Sequence, residues 1–273
     1  MVIKTTHGRT GELNSSLTNK LIELAQKYES ADFLKKDPSQ FMHRYSSVRE
    51  SETVAFIAAN LAFGRREQIL SHVEQILSEA GQSPCEWILS KKYNEFFPEN
   101  DISFYRMYTN TDMRLFFDGL RVILESAETI GAYFKEKWEG LKKSSCQQNQ
   151  KIFLHQVISE AFPAECKLLP HSKDSAAKKV NMLLRWLVRT NSPVDLGLWT
   201  WFSKKDLLMP LDTHVMQQSN ELGLINSKSA NLKTAIELTK KVAEVFPDDP
   251  VKADFALFGL GVDKDGKDAD YAN

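Results

Sequence analysis

KKVNMLLRWLV, residues 178–188, places its apolar side chains at Val180, Leu183, Leu184, Leu187 and Val188. That spacing lines one face of a 3.6-residue helix and does not fit the alternation of a strand. The pattern recurs on both sides of it. In SETVAFIAANLAFG, residues 51–64, Val54, Ile57, Ala58, Leu61 and Ala62 repeat the spacing, with Ser51 read as the N-cap and Gly64 as the stop. Ile69, Val73, Ile76 and Leu77 mark a helix ending near Gly81, and Phe116, Leu120 and Ile123 mark another. Leu232, Ile236 and Ala243 predict a helix before Pro247; Val251, Phe255 and Phe258 predict a last one before Gly259. Alternating runs bounded by turn dipeptides are scarce. The expected fold is all-α, roughly ten helices joined by short loops.

A chain of 273 residues, 42 % apolar and 26 % charged, has the composition of a soluble globular protein and room for one large domain or two lobes. The expected division is a tail over 1–16, a helical domain over 17–262 whose second lobe centres on 166–225, and an acidic tail over 263–273. No apolar run approaches the ~20 residues that span a bilayer. MVIKTTHGRTGELNSS at the start carries no apolar segment of a signal peptide, so a cytoplasmic location away from membranes is expected. Cys85, Cys146 and Cys166 have no C-x2-C spacing, which excludes a zinc ribbon or a four-cysteine iron–sulfur cluster. They read as buried or half-buried free thiols. The tail DKDGKDADYAN departs from the calcium-loop register, since Gly266 comes one step too early after Asp263 and Asp265. Neither a cofactor nor a metal is expected.

The net charge of −1 names no partner, but the charges are segregated. Between Lys167 and Lys205 eight basic residues face only Asp174 and Asp195, whereas from Glu244 onward eight acidic residues face three lysines. The basic segment reads either as a solvated surface or as an electrostatic footprint for phosphate.

Chemistry concentrates in MPLDTHVMQQSNELGLI, residues 209–225. Pro210 breaks the chain, and Asp212, Thr213 and His214 stand at the mouth of the next helix. Capping explains them locally: an Asp before a helix accepts hydrogen bonds from its free N–H groups, worth ~1 kcal/mol. Hydrogen bonds of that kind favour a charged carboxylate, which can also stabilise developing positive charge if the helix mouth opens on a cleft. Thr213 and His214 are expected to support it by hydrogen bonds, and no second ligand stands at metal spacing from His214.

The stretch LDTHVMQQSNELGL resembles the V-D-T-H-V-x-R-x-x-x-R-L-G-L signature of the helix-hairpin-helix DNA glycosylases. The resemblance implies two helical lobes with a cleft between them, DNA as the partner, and Asp212 as the catalytic carboxylate. AAKKVNMLLRW is similar to the helix after the hairpin, and by that register Lys178, three residues before Asn181, takes the place of the Schiff-base lysine, with Lys179 beside it. LAFGRREQIL falls where the family has a loop that wedges into the duplex, which implies DNA contacts from Arg65, Arg66 and Gln68. DFALFGLGV resembles the closing helix. A longer likeness is to an uncharacterised bacterial family of unknown function, through FIAANLAFG, NMLLRWLVR, VDLGLW, PLDTHV and DPVKADFALFGLGV; it implies no reaction. The chain departs from the glycosylases in the hairpin, where PHSKDSAA has no glycine to admit a phosphate. It also departs in the insertion VDLGLWTWFSKKDLL, in Gln217 where the signature has Arg, and in lacking the iron–sulfur cysteines of some members.

If activity follows the resemblance, a base leaves the stack at a cost of a few kcal/mol, and Asp212 stabilises the oxocarbenium character at its sugar. Lys178, if neutral, then attacks the sugar carbon. Lys179 and Arg185 line the nucleic acid and disfavour its protonation. Trp199 is the expected stacking face, chosen from Trp186, Trp199, Trp201 and Phe202. Two other readings stay open: a nucleic-acid-binding module without catalysis, and a helical adaptor in which PLDTHV only caps a helix.

Overall fold

The computed structural model describes residues 13–145 and 152–265. Among them are thirteen α-helices and one short hairpin. In order they are α1 Ser15–Tyr28, α2 Ala31–Leu34, α3 Val48–Leu61, α4 Arg66–Ala80, α5 Pro84–Leu89, α6 Tyr93–Phe96, strands β1 Ser103–Tyr105 and β2 Tyr108–Thr109, α7 Asn110–Ser126, α8 Ile130–Ser145, α9 Leu154–Glu160, α10 Lys178–Val188, α11 Thr213–Glu221, α12 Leu232–Val242 and α13 Ala253–Asp265. The all-α reading holds. The helices beyond the expected ten include α2 and α6, of four residues each, too short to carry a period. No helix among the described residues is long and apolar enough to cross a membrane.

The periodic stretches are the core. Every residue from Ser51 to Leu61 is buried, so α3 is the central helix, with α10, α4, α5 and α8 around it. Buried apolar residues from all parts of the chain form one connected cluster. Local signals set the ends. Thr109 and Asp112 form a reciprocal capping box at α7. Gly81, at φ +67°, closes α4 in the left-handed region that glycine enters without strain.

Four boundaries differ from the sequence reading. Helix α3 starts four residues earlier, after Ser47, and Ser51 is internal, its hydroxyl donating to the Tyr45 carbonyl at 2.9 Å. A polar residue inside a buried turn had imitated a cap. Helix α13 does not stop before Gly259 but runs through it, because the Tyr28 ring of α1 occupies the space a β-carbon would need. The same helix continues to Asp265, beyond the expected domain end at 262. At the other end α1 starts at Ser15, inside the stretch read as tail, capped by Asn14. The rest of both tails, and Cys146, lie outside the described residues.

Charge segregation along the sequence is resolved in space. Arg189 pairs with Glu29, Asp195 and Asp249, and Arg185 with Asp195 and Asp254, all with little solvent exposure. The basic segment therefore gives its two arginines to Asp195 within it, to Asp249 and Asp254 beyond Glu244, and to Glu29 just after α1.

Candidate functional site

A cleft of about 400 Å³ opens where five segments meet. Its walls are the end of α3 (Phe63, Gly64), the hairpin (Met107, Tyr108), the loop 167–170, the first turn of α10 (Lys178, Lys179) and the first turn of α11 (Asp212, Thr213, His214); Phe258 of α13 completes it. The volume falls within the ~300–1,000 Å³ of small-ligand pockets.

Asp212 caps α11, its Oδ1 accepting the Val215 amide hydrogen at 2.8 Å. Its Oδ2 lies 3.8 Å from Lys178 Nζ, an ion-pair distance too long for a hydrogen bond, and both side chains are about one-fifth exposed. The two residues singled out by sequence, 34 positions apart, thus meet at one cleft. Thr213 is exposed beside them. His214 lines the cleft but presses its Nε2 against Gly261 of α13, where a side chain would not fit. Behind the pair lies a small recess lined by Lys178, Asp212, Arg185 and Asp254. Burial raises the Asp254 carboxyl; Arg185 pulls it back, and the Asp212 charge adds to the rise.

Lys179 takes a different path from Lys178. Its nitrogen turns inward to the Asn60 and Leu168 carbonyls and the Tyr108 hydroxyl. Burial pushes the amine down to about 7. Half-buried in the cleft lining, it ties three walls of the cleft together.

Two expectations are corrected. Trp199 is 1 % exposed, donates its indole N–H to Glu52 at 2.8 Å, and offers no face to a base. The loop that carries it folds over the end of α10: the Leu196 amide donates to the Trp186 carbonyl and the Trp199 amide to that of Leu187, which satisfies the helix's last acceptors. Arg185 is 3 % exposed and held between Asp195 and Asp254, so it does not reach a phosphate. Arg65 and Gln68 are exposed and share a shallow depression with His72, Tyr105 and Arg106 beside Gly64. Arg66 points elsewhere, its guanidinium 5.6 Å from the Phe258 ring centre.

The aromatic surfaces of the cleft are Phe63, Tyr108 and Phe258, none of which the sequence reading selected. Each has a cation over its ring: Arg66 lies over Phe258, Arg106 over Phe63 at 4.6 Å, and Lys179 over Tyr108 at 4.9 Å. Gly64, at φ +111°, permits the second arrangement, since a β-carbon there would lie 2.5 Å from Arg106 Nη1.

The described residues include no group of three or more His, Cys, Asp or Glu placed to hold a metal ion. Cys85 and Cys166 are buried free thiols, pushed up to about 12 and about 11 by burial. The cleft therefore offers a carboxylate fixed by a helix end, an amine beside it, and the partly exposed rings of Phe63 and Phe258, with the largely buried Tyr108 against Lys179. Such a set can bind a flat ring and stabilise positive charge developing at an adjoining carbon.

Comparison with curated proteins gave no match, and comparison with solved structures gave none. A family model described as Protein of unknown function (DUF2400) matches residues 37–263 of the 273, and the chain belongs to that family.

Proposed function

We propose that the protein is a base-excision DNA glycosylase of the helix-hairpin-helix kind, two helical lobes about a cleft, acting on a base turned out of the duplex. The observation that carries this reading is the meeting of Asp212 Oδ2 and Lys178 Nζ, 3.8 Å apart, at the mouth of a cleft that also holds Phe63 and Phe258. The left-handed backbone for which hairpin glycines are used is present before α10 at Ala177, φ +46°.

In this reading an extruded base rests against the aromatic rings. As its bond to the sugar C1′ breaks, the electron pair leaves with the base, which takes up a proton. Asp212 stabilises the positive charge left on the sugar. Water then adds to C1′, or the Lys178 nitrogen does so in its neutral form and sheds a proton, and ring opening gives an imine that hydrolyses later. Before that hydrolysis the imine acidifies the C2′ hydrogen; its loss as a proton expels the 3′-phosphate with the C3′–O electron pair, so the second course adds strand cleavage to base release. Arg65 and Gln68 sit at the rim, where they can meet the flanking strand.

A second reading, a nucleic-acid-binding module without catalysis, draws support from the pairing of Lys178 with Asp212 and from the glycine-free loop 170–177. An incision assay on duplexes carrying oxidised, deaminated or alkylated bases separates the two. Released base, abolished by Asp212→Asn, supports the glycosylase; borohydride trapping of a Lys178 adduct supports the lyase step. Binding that weakens steeply with salt but never cleaves supports the module. Failure to bind DNA at any salt concentration leaves the adaptor.

A further inference from the structure

Lys179 and Tyr108 meet in the wall of the cleft. The lysine nitrogen lies 3.0 Å from the Asn60 carbonyl oxygen, 2.6 Å from that of Leu168 and 2.8 Å from the Tyr108 hydroxyl. Carbonyl oxygens only accept, so two hydrogens of the lysine are committed to them. The third position on nitrogen is where two states divide. In the ammonium it is a hydrogen donated to the Tyr108 oxygen, and the phenolic hydrogen must turn away from the lysine. In the amine it is a lone pair, which takes the phenolic hydrogen and leaves the tyrosine only lone pairs to offer elsewhere. The 2.8 Å between the lysine nitrogen and the tyrosine oxygen suits either state.

We infer that Tyr108 is a specificity-determining group of this cleft, presenting a hydrogen to an acceptor atom of the ligand when Lys179 is an ammonium, and a lone pair to a donor when it is an amine. The inference rests on the reading of the cleft as a nucleobase pocket. Base edges are what such a group sorts, since a ring carbonyl accepts and an exocyclic amino group donates.

The switch falls in a useful range because burial pushes the Lys179 amine down to about 7, Cys166 opposing the shift and Lys178 adding to it. The other titratable or charged groups at this corner are Tyr105 and Arg106 of the hairpin, Asp112 of α7, Lys167, and across the cleft Asp212 and His214. Burial holds Cys166 at about 11 and Tyr108 itself at about 12, so neither changes charge near neutrality.

The test has two arms. In the first, the full chain carrying carbon-13 at tyrosine Cζ is titrated by NMR, with Tyr108 assigned from Tyr108→Phe. Its signal should move in one step near pH 7 in the wild type and show no such step in Lys179→Arg, whose guanidinium stays charged. A signal that is flat across neutrality, or a step that survives in Lys179→Arg, overturns the inference. In the second arm, short duplexes carrying one unpaired hypoxanthine or one unpaired adenine are compared by fluorescence anisotropy. The preference for hypoxanthine, which places a carbonyl where adenine has an amino group, should fall roughly threefold to tenfold between mildly acidic and mildly alkaline pH, the worth of one hydrogen bond. Lys179→Arg should keep the acidic preference throughout, and Tyr108→Phe should lose its pH dependence. If the arginine variant does not fold, Lys179→Met, which has no amine to titrate, replaces it in the first arm and should likewise abolish the step, and Tyr108→Phe carries the second. A wild-type preference that does not change with pH overturns the inference. If neither duplex binds, the DNA reading and the ligand half of the inference fail together, while the tyrosine titration still decides the switch.

Discussion

Asp212 accepts the Val215 amide hydrogen at 2.8 Å through one carboxylate oxygen, while the other is the one nearest Lys178. The cap and the approach to Lys178 are thus divided between two atoms of one side chain, and on the proposed reading the second atom carries the chemistry. Asp212→Asn keeps an oxygen for the cap, so stability should change by less than ~1 kcal/mol in urea unfolding. Base release should fall by about two orders of magnitude or more, as expected for removing a charge that stabilises a transition state. A collapse of folding would reduce Asp212 to a structural cap.

Arg189, 2 % exposed, holds Glu29, Asp195 and Asp249 together. Arg189→Met leaves those carboxylates buried without their shared cation, and should cost ~3–5 kcal/mol in chemical denaturation. A loss below about 1 kcal/mol would show that solvent reaches the cluster.

His155 is buried, and burial pushes its imidazole down to about 4. The unfolded chain takes up this proton near pH 6.5, well before the folded protein can. Stability is therefore complete above about pH 6.5 and drains away as pH falls toward 4, by up to ~3 kcal/mol. Urea midpoints measured across that window should drop in the wild type and drop less in His155→Met. Equal slopes would place the acid sensitivity elsewhere.

A methyl group at Gly259 would fall within the Tyr28 ring. Glycine to alanine inside a helix normally stabilises, but Gly259→Ala should destabilise by ~1–3 kcal/mol through overpacking. Adding Tyr28→Leu should recover part of that loss; an unchanged melting temperature in the single variant would mean that α1 and α13 separate easily.

Apolar spacing made the helices legible, because one buried face repeats over several turns, as it does in α4 and α7. Membership of an uncharacterised family, and the cap at Asp212, were equally readable, since both are local. What was hidden depends on distant partners. Lys178 and Lys179 are neighbours turned about 100° apart on a helix, and only the fold shows that the first meets Asp212 while the second runs inward to Asn60. Arg185 looked like a DNA contact because its partner Asp254 lies 69 residues away. Trp199 sits in a stretch without a period, so nothing local foretold that this loop folds back over the end of α10. Tyr108 belongs to a hairpin too short to announce itself.

The pairing of α1 with α13 means that α1 is seated only when α13, more than 220 residues later in the described chain, has been synthesised. Until then Tyr28 and Phe33 lack Phe258, and Arg185 lacks Asp254. During translation the earlier segments must wait with apolar surface bare, so premature termination anywhere before residue 253 should yield a product that is cleared by proteases or clumps, rather than a smaller working protein.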